Sequence, residues 1–181
     1  APRGSPSPPV LPSVGAGTAL LGSGVMSETV GRRPLAALAL ASVLLRLPAL
    51  LTGRFYDPDE GAIAEQARTL VHGGRLYADM ADRKPPLPPH LYALWFRLTD
   101  SHDLRGPRLM VCVLLAAAAV VLTRDVARTH GCTVALWAGW LFVLGAYAFG
   151  PTDAGAANYA HFALPFATVA LVWLRRAGWW P

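Results

Sequence analysis

Two charged clusters hold the residues of this sequence best suited to chemistry. The first reads Tyr56-Asp57-Pro58-Asp59-Glu60-Gly61, and the second Asp82-Arg83-Lys84-Pro85-Pro86-Leu87. A positioned carboxylate can take the proton of an attacking hydroxyl or ligate a metal, and an Arg-Lys pair can hold a phosphate. A basic pair fixed beside acids at a bilayer surface suits a substrate whose phosphate lies close to lipid. His161, with Asn158 and Tyr159, is a further candidate to line the same cavity, because polar groups within apolar segments often face a functional interior. A histidine bonded to a neighbouring helix is the other reading of it.

Local structure explains part of both clusters without any chemistry. Asp57 is a favourable N-cap, Pro58 suits the first helical position, and Glu60 stands where a capping-box partner belongs. Asp59 is not required for capping, although the helix dipole favours any acid there. In the second cluster, Asp82, Arg83 and Lys84 can be a solvated turn whose charges pair with one another. Pro85-Pro86 and Pro88-Pro89 predict an extended, stiff strut that presents them.

The elements that must hold these clusters are set by composition. The chain has 181 residues, 54% hydrophobic and 15% charged, with a mean hydropathy of +0.37. Soluble domains carry about a quarter charged residues. The apolar residues come in blocks, which excludes disordered, collagenous and disulfide-scaffold classes. Four membrane spans are expected, at about 35–51, 106–122, 133–150 and 154–174. The first is broken only by Arg46 and Pro48, and the last contains Asn158, His161 and Pro165. Lengths of this order cross the hydrocarbon core as helices. The fold class is therefore all-α: a polytopic membrane protein with a long first extracytoplasmic loop, 52–105, that contains amphipathic interfacial helices.

The net charge of +5 does not point to nucleic acid, because the basic residues sit at the ends of apolar blocks rather than in a stripe. Arg32 and Arg33, Arg124 and Arg128, and Arg175 and Arg176 place the N-terminus in the cytoplasm and the first loop outside. Within that loop Ile63, Ala67, Leu70 and Val71 recur at helical spacing, and Gly73-Gly74 ends the pattern. Tyr92, Trp95 and Phe96 form an aromatic segment suited to interfacial anchoring, with His90 facing water, and Trp179 and Trp180 read as an inner aromatic belt. Cys112 and Cys132 lack metal-ligand spacing and read as small hydrophobes. Residues 1–33 are expected to be a disordered Pro/Gly/Ser/Ala-rich tail, of which 1–25 could be upstream sequence.

Asp59-Glu60 after the first span, Gly73-Gly74-x-x-Tyr77, Asp82-x-Lys84-Pro85-Pro86-Leu87 and then Gly106-Pro107-Arg108 form an ordered set. In this order they resemble the N-terminal part of a GT-C type membrane glycosyltransferase, similar to the protein O-mannosyltransferases and the lipid A aminoarabinose transferases. The resemblance covers about residues 35–175. It implies an enzyme that transfers a sugar from a polyprenyl-phosphate donor, with inversion, to an extracytoplasmic protein, lipid or glycan acceptor. It also implies Asp59 as general base with Glu60 beside it, and Lys84, with Arg83, at the donor phosphate. Asp57, Asp82 and His161 are additional site candidates. The aminoarabinose transferases carry an acid where this chain has Arg83, and Asp82 is the nearest substitute. A divalent metal is compatible with the family, without assignable ligands. The family's enzymes are several times longer, so a truncated product or fragment is expected. The alternative is a non-catalytic membrane subunit whose acidic loop only caps a helix.

Overall fold

A computed structural model describes residues 29–52, 57–80, 84–148 and 155–179. Among these residues the chain is all-helical, with no strand. The elements are α1 (Arg32–Leu44), α2 (Leu47–Leu51), α3 (Pro58–Val71), α4 (Leu87–Thr99), α5 (Arg105–Gly145) and α6 (Tyr159–Arg176). Nearly all of the expected tail, and with it the assignment of residues 1–25, lies outside the described residues. The first helix takes in Arg32 and Arg33, two residues of the expected tail.

The expected span 35–51 is two helices, not one. The break falls at Leu45 and Arg46, where Pro48, in the first turn of α2, cannot donate to the preceding turn. Arg46 does not snorkel outward. It is buried at 5% exposure and donates to the Ala146 carbonyl at 2.9 Å, satisfying an orphan acceptor at the end of α5.

Gly131 divides α5. Its φ of +79° and ψ of 167° are non-helical, in a region open in practice only to glycine. The helix folds back there on itself. A side chain at Gly139 would overlap the Thr123 hydroxyl and Leu38, and Ala119, Val143 and Leu38 share one buried cluster. Positions 119 and 143, like 123 and 139, stand at equal distances on either side of 131, as two antiparallel arms require. The stretch 106–122 lies in the first arm and 133–145 in the second; the end of the expected span 133–150 falls partly outside the described residues.

Helices α1 and α6 pack on α5, and α3 packs on α4. The larger core joins Ile63, Ala64 and Ala67 of α3 to Tyr92, Ala93 and Phe96 of α4, Val111 and Leu115 of α5, and Phe162 of α6. The aromatic residues of α4 therefore point into this core instead of anchoring at an interface. Tyr92 and Phe96 are almost fully buried, with their rings edge to face at 6.0 Å.

Pro88 and Pro89 are likewise not part of an extended strut. They lie buried in the first turn of α4, with Pro86 as its N-cap in helical geometry. Proline costs little there because first-turn N–H groups have no intrahelical partner.

Among the described residues one helix, α5, is long and apolar enough to cross a membrane, and only 39% of its most apolar stretch is buried. The outer surfaces of α1, α5 and α6 are apolar too, exposing Leu40, Leu44, Val113, Trp137, Leu141 and Trp173.

Candidate functional site

The start of α3 is built by its own sequence. Asp57 takes the N-cap position, and its Oδ1 accepts from the Asp59 N–H at 3.0 Å, with Pro58 in the first turn. At the other end, Gly73 at φ +86° lets the Gly74 N–H reach the Thr69 carbonyl at 2.9 Å, a glycine-based stop. The chain then makes a tight turn in which the Arg75 N–H donates to Asp79 Oδ2 at 2.7 Å. Tyr77, itself at φ +67°, donates its hydroxyl to the Lys84 carbonyl at 2.7 Å. The Gly73-Gly74-x-x-Tyr77 pattern thus fixes the backbone of Lys84.

The Lys84 ammonium forms a salt bridge with Asp59 Oδ1. It also lies 4.8 Å from the centroid of the Tyr159 ring, over its face. Both charged side chains remain partly exposed, at 38% for Lys84 and 45% for Asp59. Tyr159 belongs to the first turn of α6, and its hydroxyl donates to Gln66 Oε1 of α3 at 3.0 Å. Asn158 caps α6 by accepting from the His161 N–H and donates to Asp57 Oδ2 at 3.1 Å. The starts of α3 and α6 are therefore held together by side chains at Asp57, Asn158, Gln66 and Tyr159.

Glu60 sits beside this pair in sequence but turns the other way. It is fully buried and makes a fork with Arg108, whose Nε and Nη2 donate to its two oxygens at 2.8 and 2.7 Å. The Ala157 N–H donates to the same carboxylate at 3.1 Å. Arg108 Nη1 further donates to the carbonyls of Ala49 and Thr52. One buried ion pair thus fastens α2, α3, α5 and the approach to α6. In this geometry Glu60 does not reach back as a capping-box partner. The Tyr92 hydroxyl, next to the knot, donates to the Ala157 carbonyl at 2.7 Å. Burial, reinforced by the Glu60 charge, holds its pKa well above the usual phenol value, which keeps the donor protonated.

Of the residues singled out by sequence, the structure brings Asp57, Asp59 and Lys84 to one face, with Glu60 packed behind them. Asp82 and Arg83 lie outside the described residues. His161 is buried on α6, and its Nδ1 has no hydrogen-bond partner among the described residues. His90 is exposed. Among the described residues no group of three His, Cys, Asp or Glu side chains could hold a metal ion. Asp57 accepts from the Asp59 N–H, Glu60 from Arg108 and the Ala157 N–H, and Asp59 pairs with Lys84.

Beside Lys84 an apolar groove opens, lined by Pro85, Leu87, Pro88, Tyr159, Phe162 and Phe166. It runs along the surface of α6, and the Tyr159 ring in its wall is the one that the Lys84 ammonium lies over. The chain matches no family model, no curated protein and no solved structure among those compared with it.

Sequence reasoning missed three features of this region. Arg108 was noted as part of a motif but not as the partner of Glu60, 48 positions away. Gln66 carries no local signal beyond lying on the buried face of α3. Asp125, buried at 3%, pairs with Arg175 and Arg176 at the far end of α6, where those arginines were read only as topology markers.

Proposed function

We propose that this chain is a membrane glycosyltransferase of GT-C type, or part of one, that takes a sugar from a polyprenyl-phosphate donor on the extracytoplasmic side. One observation carries the reading: a lysine ammonium paired with a carboxylate lies over the ring of Tyr159, which also walls an apolar groove. A lipid phosphate combines these two chemistries, a long apolar chain and an anionic head. The exposed apolar surfaces of α1, α5 and α6 support a bilayer setting, since patches of that extent do not face water in soluble monomers. On this reading α1–α2, the two arms of α5, and α6 supply four spans, with the Gly131 turn in the cytoplasm.

The chemistry is a single displacement. The acceptor hydroxyl attacks the anomeric carbon, its proton passes to Asp59, and the bond to the phosphate oxygen breaks with inversion. Lys84 meets the charge that develops on the leaving phosphate. Glu60 positions Asp59 through the fold and does not touch substrate. Among the described residues no step calls on a metal, and none is assigned to one.

A second reading, a non-catalytic membrane subunit, draws on the structural employment of Asp57 and Glu60 as cap and buried ion pair. Sugar transfer by the membrane-embedded chain separates the two. Asp59→Asn should abolish transfer while leaving donor binding intact, and Lys84→Met should weaken donor binding. A membrane-embedded chain that transfers no sugar would leave the second reading standing, and transfer that survives Asp59→Asn at the wild-type rate would remove Asp59 as the base.

A further inference from the structure

Tyr159 has a place at this site that its role in packing does not explain. Its ring is shared between two surfaces: one face lies under the Lys84 ammonium, and the ring also forms part of the groove wall with Phe162 and Phe166. Its hydroxyl is held by Gln66, a residue only 4% exposed, so the ring is oriented by a buried partner. The carbonyl of Lys84 is held by Tyr77, so backbone and ammonium are each tethered by a tyrosine.

Asp59 and the Tyr159 ring differ in one respect as partners of the ammonium. Asp59 is an anion and competes with any incoming phosphate for the same charge. The Tyr159 ring is neutral, attracts the cation through its quadrupole, and competes with nothing. A lysine that loses its carboxylate partner on a bare surface is free to swing among many rotamers. Over an oriented ring it is restrained beside the groove wall.

We propose that Tyr159 is a positioning residue for Lys84: its ring holds the ammonium beside the groove wall while the phosphate of a lipid-phosphate ligand takes it over from Asp59. This rests on the lipid-phosphate reading given above. No bond is made or broken in the exchange. One ion pair replaces another, and the Asp59 carboxylate is released with its charge.

The test is binding by the full chain in lipid nanodiscs, with farnesyl phosphate as probe and farnesol as its uncharged counterpart. Tyr159→Leu keeps an apolar wall and removes the ring, and should weaken farnesyl phosphate about fivefold while leaving farnesol unchanged. Tyr159→Phe keeps the ring but loses the Gln66 hydrogen bond that orients it, and should weaken farnesyl phosphate less than Tyr159→Leu does while leaving farnesol unchanged. In a Lys84→Met background the effect of Tyr159→Leu on farnesyl phosphate should vanish, as a direct coupling requires.

Equal loss of both probes in Tyr159→Leu would reduce the ring to a groove wall and overturn the proposal. So would no loss at all, or a loss in Tyr159→Phe as large as in Tyr159→Leu. A wild type that binds farnesyl phosphate no better than farnesol would sink the lipid-phosphate reading, and this proposal with it. Phosphate preference in the wild type that Tyr159→Leu leaves intact would sink the Tyr159 role alone.

Discussion

Asp59 and Lys84, 25 positions apart in sequence, meet in a direct ion pair above the first turn of α3. On the proposed function this direct contact, which leaves no space for a sugar ring between the two groups, corresponds to a resting site. Binding of a phosphate at Lys84 would open it.

Because the pair is half-exposed, its contribution to stability is small, below about 1 kcal/mol after screening by water. Exchanging the two residues, as Asp59→Lys with Lys84→Asp, should therefore preserve thermal stability to within that margin and abolish sugar transfer. Melting curves of the purified protein check the first half, and a transfer assay checks the second. Transfer by the exchanged protein would show that neither residue acts through its position.

The ion pair behind the site behaves differently. Arg108 and Glu60 are both almost fully buried, at 2% and 0% of their side chains. Glu60→Ala leaves a guanidinium without its carboxylate and should destabilise the protein by about 3–5 kcal/mol. The double variant Glu60→Met with Arg108→Met should lose less than either single variant, because it buries no lone charge. Unfolding monitored in detergent gives all three values.

How much of this arrangement the sequence disclosed depends on the range of each interaction. Helix α3 was readable because its signals are local: a cap at Asp57, a proline beside it, and apolar residues one turn apart at Ile63 and Ala67. Lys84 was legible only through the order of motifs along the chain. The fork between Glu60 and Arg108 joins residues with nothing between them to announce it, and so does the contact between Tyr159 and Gln66. The Pro85–Pro89 stretch was misread for a different reason. Proline fixes φ near the value shared by a helix and an extended polyproline segment, and only ψ separates the two. At Pro86 that ψ is −16°, on the helical side.

The fold-back at Gly131 predicts a clear asymmetry of access. His90 and Thr129 are both exposed, but the first lies beside the candidate site and the second just before the turn. Single cysteines at these positions, with Cys112 and Cys132 replaced by alanine, should label from opposite sides of a sealed membrane. Labelling of both from one side would remove the bilayer from the picture.

The same turn sets a requirement on glycine. Gly131→Ala forces a side chain onto a backbone with φ of +79° and should cost about 1–3 kcal/mol. Gly139→Val should cost a similar amount by overpacking against Thr123 and Leu38. Folded yield and melting temperature report both. Gly145→Ala, where a Cβ meets nothing, is the matched control and should be neutral.

Helix α6 is moored at both ends. Asn158 ties its first turn to Asp57, and Arg176 ties its last to Asp125 at 3.0 Å. Between these moorings lie 18 residues, a rod of ~27 Å. On the membrane reading proposed above, such a rod would meet a thicker or thinner lipid layer by leaning with the whole bundle, since its two moorings keep it from sliding past its neighbours.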